Sequence, residues 1–266
     1  MEITHLTWAT IGRQSAFPTE AARRRVLRAL ATAVGDVLVL FALVDDHVHL
    51  VVRVEEARLR RVQGAVTRVL NSRSDAEFAA PYARPVTTRK HMTTLIGYCL
   101  GQFEHHGLAD DPATATGSCF PDLVGARRLP GLTLQLDAAL PRVRLRAVYA
   151  AVGLDTALKP AADEDLRALG PARFAELVAQ TFSIAPGFAG QTEDVVAARG
   201  AAAHLAAQVG LRPRDVAAAL GVSPSAANRL AKKPADAGDL RAVRLRAALE
   251  AAALQRRLPS AANGRN

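Results

Sequence analysis

Phe41-Ala-Leu-Val-Asp-Asp-His-Val-His-Leu-Val-Val-Arg53 consists of two apolar, strand-like runs separated by Asp45-Asp46, with His47 and His49 set into the second. Successive side chains of a strand point to opposite faces, so the two imidazoles emerge together while Val48, Leu50 and Val52 cover a core on the other side. The aspartates tolerate turn conformations that β-branched residues resist, which predicts a tight hairpin of 37–44 against 47–54. Two neutral imidazoles on a rigid strand need one more donor to hold a divalent ion with open positions. A strand carrying two polar residues on its wet face has the same pattern, so the surroundings must decide between the two readings.

Upstream, 5–10 reads as a short strand, and Thr19 is placed to cap a helix over 20–34 with Val26, Leu27, Leu30 and Val34 at core spacing. Downstream, Val62, Val66, Val69 and Leu70 mark a second amphipathic helix that carries Arg60, Arg61, Arg68 and Arg73. The order is strand, helix, strand, strand, helix. A Pro-rich segment, 81–85, leads through an expected edge strand at 86–88 into a third helix over 90–105, with Met92, Leu95, Ile96, Cys99 and Phe103 as its apolar stripe. His91, Thr94, Tyr98, Gln102 and His105 follow at steps of three or four, so they line another side. A nucleophile or acid–base group and several ligand types therefore share a face that the core does not claim, although every surface helix has a solvated polar face.

His47-Val48-His49 after Asp45-Asp46, followed by a helix reading Tyr98-Cys-Leu-Gly-Gln102, resembles the single-tyrosine HUH transposases of the insertion-sequence 200/605 type. It is similar above all to their domesticated relatives, the REP-associated tyrosine transposases. His5-Leu-Thr-Trp8, His106-Gly-Leu108, Asp111-Pro112, Gly117-Ser118 and Leu123-Val-Gly125 add to the resemblance, which covers residues 1–125. Two departures are visible: Asp45-Asp46 stands where the family often has Pro-Asn, and Phe103-Glu-His stands where the REP-associated branch has Asn-Pro-Val. The resemblance implies an α+β domain, a ferredoxin-like antiparallel sheet backed by helices. It further implies Tyr98 as the nucleophile that forms a 5′-phosphotyrosine, His47, His49 and Gln102 as ligands of Mg²⁺ or Mn²⁺, and single-stranded or hairpin DNA as the substrate. Gln102 follows the insertion-sequence pattern for the third ligand.

Residues 126–170 read as a helical connector, with helices over 140–154 and 162–169 broken at Pro160 and Gly170-Pro171. Arg142, Arg144 and Arg146 there fit a solvated charged face better than a phosphate site. From 171 to 255 an all-α domain is expected, containing Leu211-Arg-Pro-Arg-Asp-Val-Ala-Ala-Ala-Leu-Gly-Val-Ser-Pro-Ser-Ala-Ala-Asn-Arg-Leu-Ala-Lys-Lys233, which resembles a helix-turn-helix. Ala217 is small where two helices approach, Gly221 permits the turn, and Ser223 caps a helix beginning at Pro224. With that helix in a major groove, Ser225, Asn228 and Arg229 face base edges, and Lys232 and Lys233 meet phosphates. Its neighbourhood is distantly similar to the DNA-binding domain of the bacterial replication initiator DnaA, without that domain's Asp-His-Ser-Thr signature. Residues 256–266 are expected to be a disordered tail.

The 266 residues carry a net charge of +9 from 34 basic and 25 acidic side chains. That excess points to a polyanionic partner, nucleic acid before membrane, because no long apolar span occurs. An Arg- and Ala-rich composition written by a high-GC genome produces the same bias. Half the residues are hydrophobic, which excludes disorder throughout. Cys99 and Cys119 lack a Cys-x-x-Cys spacing, and the N-terminus lacks a basic start and an apolar core, so a cytoplasmic protein is expected. The expected activity is metal-dependent DNA cleavage and joining, with a homodimer compatible. Two rivals remain: a non-catalytic DNA-binding regulator derived from a transposase, and a relaxase or replication initiator, although no helicase or P-loop segment is present.

Overall fold

The computed structural model describes residues 1–134, 145–154 and 157–257. Those residues form an α+β protein with a four-stranded antiparallel sheet and eleven α-helices. The first elements are β1 (Glu2–Ala9), α1 (Glu20–Val34), β2 (Leu38–Leu43), β3 (His47–Val54), α2 (Glu56–Arg73) and β4 (Tyr82–Pro85), and the sheet order is β2-β3-β1-β4. Thr19 caps α1 by accepting a hydrogen bond from Ala22 N at 3.1 Å.

The two faces of the sheet differ because β1 alternates strictly. Leu6 and Trp8 are fully buried on the α1–α2 side, where Trp8 Nε1 donates to Thr67 Oγ1 at 3.0 Å. His5 and Thr7 point the other way, as do their neighbours on β3. Here α3 (Arg89–His105) covers β2 and seats Met92, Leu95, Ile96, Cys99 and Phe103 in the core.

The edge strand lies earlier than the expected 86–88. Pro85 can occupy it because an edge position needs no N–H on its open side. Val86 N still donates to Ile3 O at 2.8 Å, and Thr88 is already committed to capping α3, accepting from His91 N at 3.1 Å.

The remaining helices are α4 (Phe120–Leu123), α5 (Leu145–Ala150), α6 (Asp163–Ala168), α7 (Gly170–Thr181), α8 (Glu193–Gln208), α9 (Pro213–Ala219), α10 (Pro224–Lys232) and α11 (Ala237–Arg257). Gly170 takes φ +71° at the start of α7, a conformation that disfavours other residues. Arg142 and Arg144, and the start of the helix expected from 140, lie outside the described residues. Within the expected connector, Val148 and Tyr149 of α5 pack into the sheet core and Leu166 of α6 into a second core.

That second core is built on Phe174, Leu177, Val178, Val195, Leu205 and Val216, and α11 joins it to the first. Leu245 and Leu249 face the sheet core while Val243 and Ala247 face the helical one. Between them Arg246 is buried, donating to Thr114 O at 3.0 Å and Gln180 Oε1 at 3.2 Å, with Glu250 Oε1 3.0 Å from its Nε. Arg256, expected in the tail, instead lies in the last turn of this helix, which ends at Arg257, and donates to both oxygens of Asp111 at 2.9 Å. The helix runs on because its last turn has an acidic partner to dock on; residues 258–266 of the expected tail lie outside the described residues. Among the described residues no helix is long and apolar enough to cross a membrane.

Candidate functional site

His47 and His49 stand on β3, an inner strand of the sheet, and their rings meet edge to face with centroids 4.7 Å apart. Both are buried beneath α3. From that helix Tyr98 reaches over His49, ring centroids 5.1 Å apart, and keeps 48 % of its surface exposed. One turn on, Gln102 is buried; its Nε2 donates to Tyr98 O at 3.1 Å, which turns its Oε1 to within 3.1 Å of His47 Nε2. The structure thus brings together the four residues that the sequence singled out as nucleophile and ligands, 47 and 49 from a strand and 98 and 102 from a helix.

The ring nitrogens away from Gln102 are also held. His47 Nδ1 lies 2.6 Å from Asp46 Oδ1, so Nδ1–H donates to the carboxylate and the ring orientation is set. Burial pushes the Asp46 carboxyl up, but its bonds to His47 and Arg13 prevail and hold it below the ordinary carboxylate range. His49 Nδ1 lies 3.1 Å from both His5 Nε2 and Thr7 Oγ1. Burial, followed by the nearby His47 and His5, depresses the His49 pKa to about 3, with the Gln102 side chain opposing the fall. Burial, His91 and Arg84 depress that of His5 to about 4. His5 and His49 are therefore neutral near pH 7, with lone pairs available.

The inner group has an unmet need. His49 is 2 % exposed and its Nε2 has no hydrogen-bond partner among the described residues, a costly state for a buried polar atom. Although the Gln102 amide is close enough to oppose the pKa fall, no bond of normal geometry joins it to that nitrogen. Two imidazoles with centroids 4.7 Å apart and an amide oxygen 3.1 Å from one of them are a donor set of the kind that fits a divalent cation.

A second grouping adjoins the first. Asp46, His47 and His106 can each place a ligand atom within 4.8 Å of the others, so this group could hold a metal ion. His106 caps α3 and its ring lies 4.6 Å from that of His47. The sequence stripe ended on His105; the structure puts His106 at the site, because the chain leaves helical geometry there (φ −92°, ψ 8°) and swings the next ring inward. His105 packs edge to face against it at 5.1 Å.

Sequence reasoning missed His5, Thr7, Asp46 and His106 as site residues. His5 and Thr7 carry the same two-residue alternation as the histidine pair, and His106 continues the four-residue step from Gln102. Six of the chain's seven histidines lie along this face, His204 being the exception.

In the helical unit, Ser223 Oγ accepts from Ala226 N at 3.2 Å and caps α10. Gly221 turns the chain at φ +64°, and Ala217 and Ala227 are buried at the packing of α9 and α10. Ser223, Ser225, Asn228, Arg229, Lys232 and Lys233 are all exposed. They form a polar and basic outer surface on a helix whose inner face packs on α8.

No family model, no curated protein and no solved structure matches this chain.

Proposed function

We propose that the chain is a metal-dependent DNA strand transferase of the single-tyrosine HUH type, with Tyr98 as nucleophile and His47, His49 and Gln102 as ligands of Mg²⁺ or Mn²⁺. The observation that carries it is the half-exposed Tyr98 ring lying 5.1 Å from His49, whose buried Nε2 has no hydrogen-bond partner among the described residues. The β-α-β-β-α-β order with sheet order β2-β3-β1-β4 supports the ferredoxin-like part of the reading.

In the proposed step the Tyr98 Oη bonds to a backbone phosphorus as the P–O3′ bond breaks. The phenolic proton passes to solvent, and the leaving oxygen takes a proton to become a 3′-hydroxyl. A later 3′-hydroxyl reverses the exchange, so the phosphodiester bond energy is conserved without a nucleotide cofactor. A divalent cation supplies Lewis-acid polarisation of the scissile phosphate. Asp46 orients His47, Thr7 and His5 orient His49, and the Gln102 amide is pinned by its own helix. All these groups come from one chain, so this reading needs no second copy to complete the site. The exposed face of α10 then serves affinity or sequence choice.

The exposed α10 surface also favours the regulator reading, in which that helix is the working part. Denaturing gels of end-labelled hairpin DNA, run with Mn²⁺ or with chelator, separate the two. A protein–DNA adduct is expected with the metal, none with chelator, and none from Tyr98→Phe, which keeps the ring and its packing. An adduct formed equally well by Tyr98→Phe would move the nucleophile elsewhere, for example to Tyr82. Intact DNA binding with no adduct on hairpins from the flanks of its own gene would leave the regulator.

A further inference from the structure

α3 lies over β2, and on the same face of the sheet the outward residues of β1 are half-buried and those of β4 exposed, beside Tyr98. The ladder register says which side chains stand there. Thr7 pairs with His49 on one side and with Tyr82 on the other, and His5 pairs with Arg84. Directly opposed residues of antiparallel strands project from the same face. His49, Thr7 and Tyr82 therefore form one row across the sheet, with His5 and Arg84 in the next. Tyr82 is 69 % exposed, and Arg84 is exposed yet near enough to His5 to lower its pKa. Among the described residues no carboxylate pairs with Arg84.

Tyr82, two strand spacings or about 10 Å from the proposed metal ligand, belongs to neither hydrophobic core among the described residues, although it stands on a short edge strand. We infer that Tyr82 and Arg84 form a platform for single-stranded DNA entering the Tyr98 site, the ring stacking on a base and the guanidinium meeting a backbone phosphate. Stacking is sequence-tolerant, because every base has a π-face, and it requires unpaired bases. The platform thus selects single strands over duplex, whereas α10 is suited to duplex. The strand-transfer reading supplies the class of ligand, but the platform is tested by non-covalent binding alone.

The test uses the full chain in chelator, so that no covalent step contributes, and follows fluorescence anisotropy of a labelled oligodeoxynucleotide of mixed sequence, single-stranded or annealed to its complement. Tyr82→Ala is expected to weaken single-strand binding about 5- to 150-fold, the range for losing one stacked base. Tyr82→Phe should bind as the parent does, since the ring and not the hydroxyl is used. Arg84→Ala should weaken binding and lower the dependence on salt by about one phosphate contact. Duplex binding should not change in any of the three.

Unchanged single-strand affinity in a folded Tyr82→Ala protein would overturn the platform, as would equal damage to duplex binding or failure of the parent to bind single strands. Loss of binding in Tyr82→Phe would point to the hydroxyl instead and overturn it too. Failure of the strand-transfer reading registers separately, as the absence of a Tyr98-dependent adduct with Mn²⁺.

Discussion

His47 Nε2 and Gln102 Oε1 face each other at 3.1 Å across the boundary between β3 and α3, 55 residues apart in the chain. With His47 Nδ1 already bonded to Asp46, that contact leaves Nε2 to meet an oxygen through either a proton or a shared cation. Losing an outer-shell partner costs a metal site about 10- to 100-fold in affinity, and losing a ligand costs at least the upper part of that range. Gln102→Leu should therefore bind Mn²⁺ about 100-fold more weakly in a titration. Gln102→Glu should keep Mn²⁺ binding and improve Mg²⁺, which favours charged oxygen. A Gln102→Leu protein that binds Mn²⁺ as tightly as the parent would remove Gln102 from the ligand set.

Asp46→Asn keeps the shape of the turn and removes the charge that holds His47. Mn²⁺ affinity should fall by about 10- to 100-fold. His106→Ala, measured beside it, locates the ion. A small effect places the cation on the inner group, and a loss larger than that of Gln102→Leu places it on Asp46, His47 and His106.

Acid should destabilise the metal-free protein before its carboxylates titrate. His49 and His5 fall from an ordinary 6.5 to about 3 and about 4 in the folded state, so between those values and 6.5 the unfolded chain binds more protons than the folded one. Stability is complete above pH 6.5 and declines as pH falls toward 4 and then 3. Urea midpoints in chelator should drop steadily over that window, and the decline should flatten in a folded His5→Gln, His49→Gln double variant. A midpoint independent of pH between 6.5 and 4 would contradict the buried neutral pair.

Because α11 supplies Leu245 and Leu249 to the sheet core and Val243 and Ala247 to the helical core, cutting the chain before α7 removes part of the first unit's interior. Leu249→Ala should cost about 2–5 kcal/mol, as for other buried leucines. Chemical unfolding with a tryptophan signal, from the single buried Trp8 beneath the sheet, should register the whole loss although Leu249 belongs to a helix far along the chain. No shift in the Trp8 transition would mean that the two units unfold independently.

Surface substitutions on α10 avoid that damage. Arg229→Ala should cost about 1–3 kcal/mol of binding to a preferred duplex, and Lys232→Ala should weaken all duplexes evenly while reducing the salt slope. Adduct formation on a short hairpin at high protein concentration should persist in both. Loss of adduct in either folded variant would show that α10 takes part in building the catalytic complex.

Much of the site was readable because its spacings are local. The His47–His49 pair, the Tyr98–Gln102 step and the Thr19 cap each follow from the period of one element, and one element's geometry is set by neighbouring residues. The paired β2 and β3 followed for the same reason, from two apolar runs around Asp45-Asp46. What the sequence determined by itself, then, was which side chains share a face and where the chain turns. Only the tertiary structure decided what each face meets. His5 joins His49 because β1 inserts beside β3, and Tyr82 enters the same row because β4 adds to the far side of β1. His106 rather than His105 reaches His47 because α3 ends where it does, and Arg246 is buried because α11 closes over two cores at once. Those contacts join residues distant in sequence, and the free energy that selects them comes from packing and burial across elements, which no local spacing encodes.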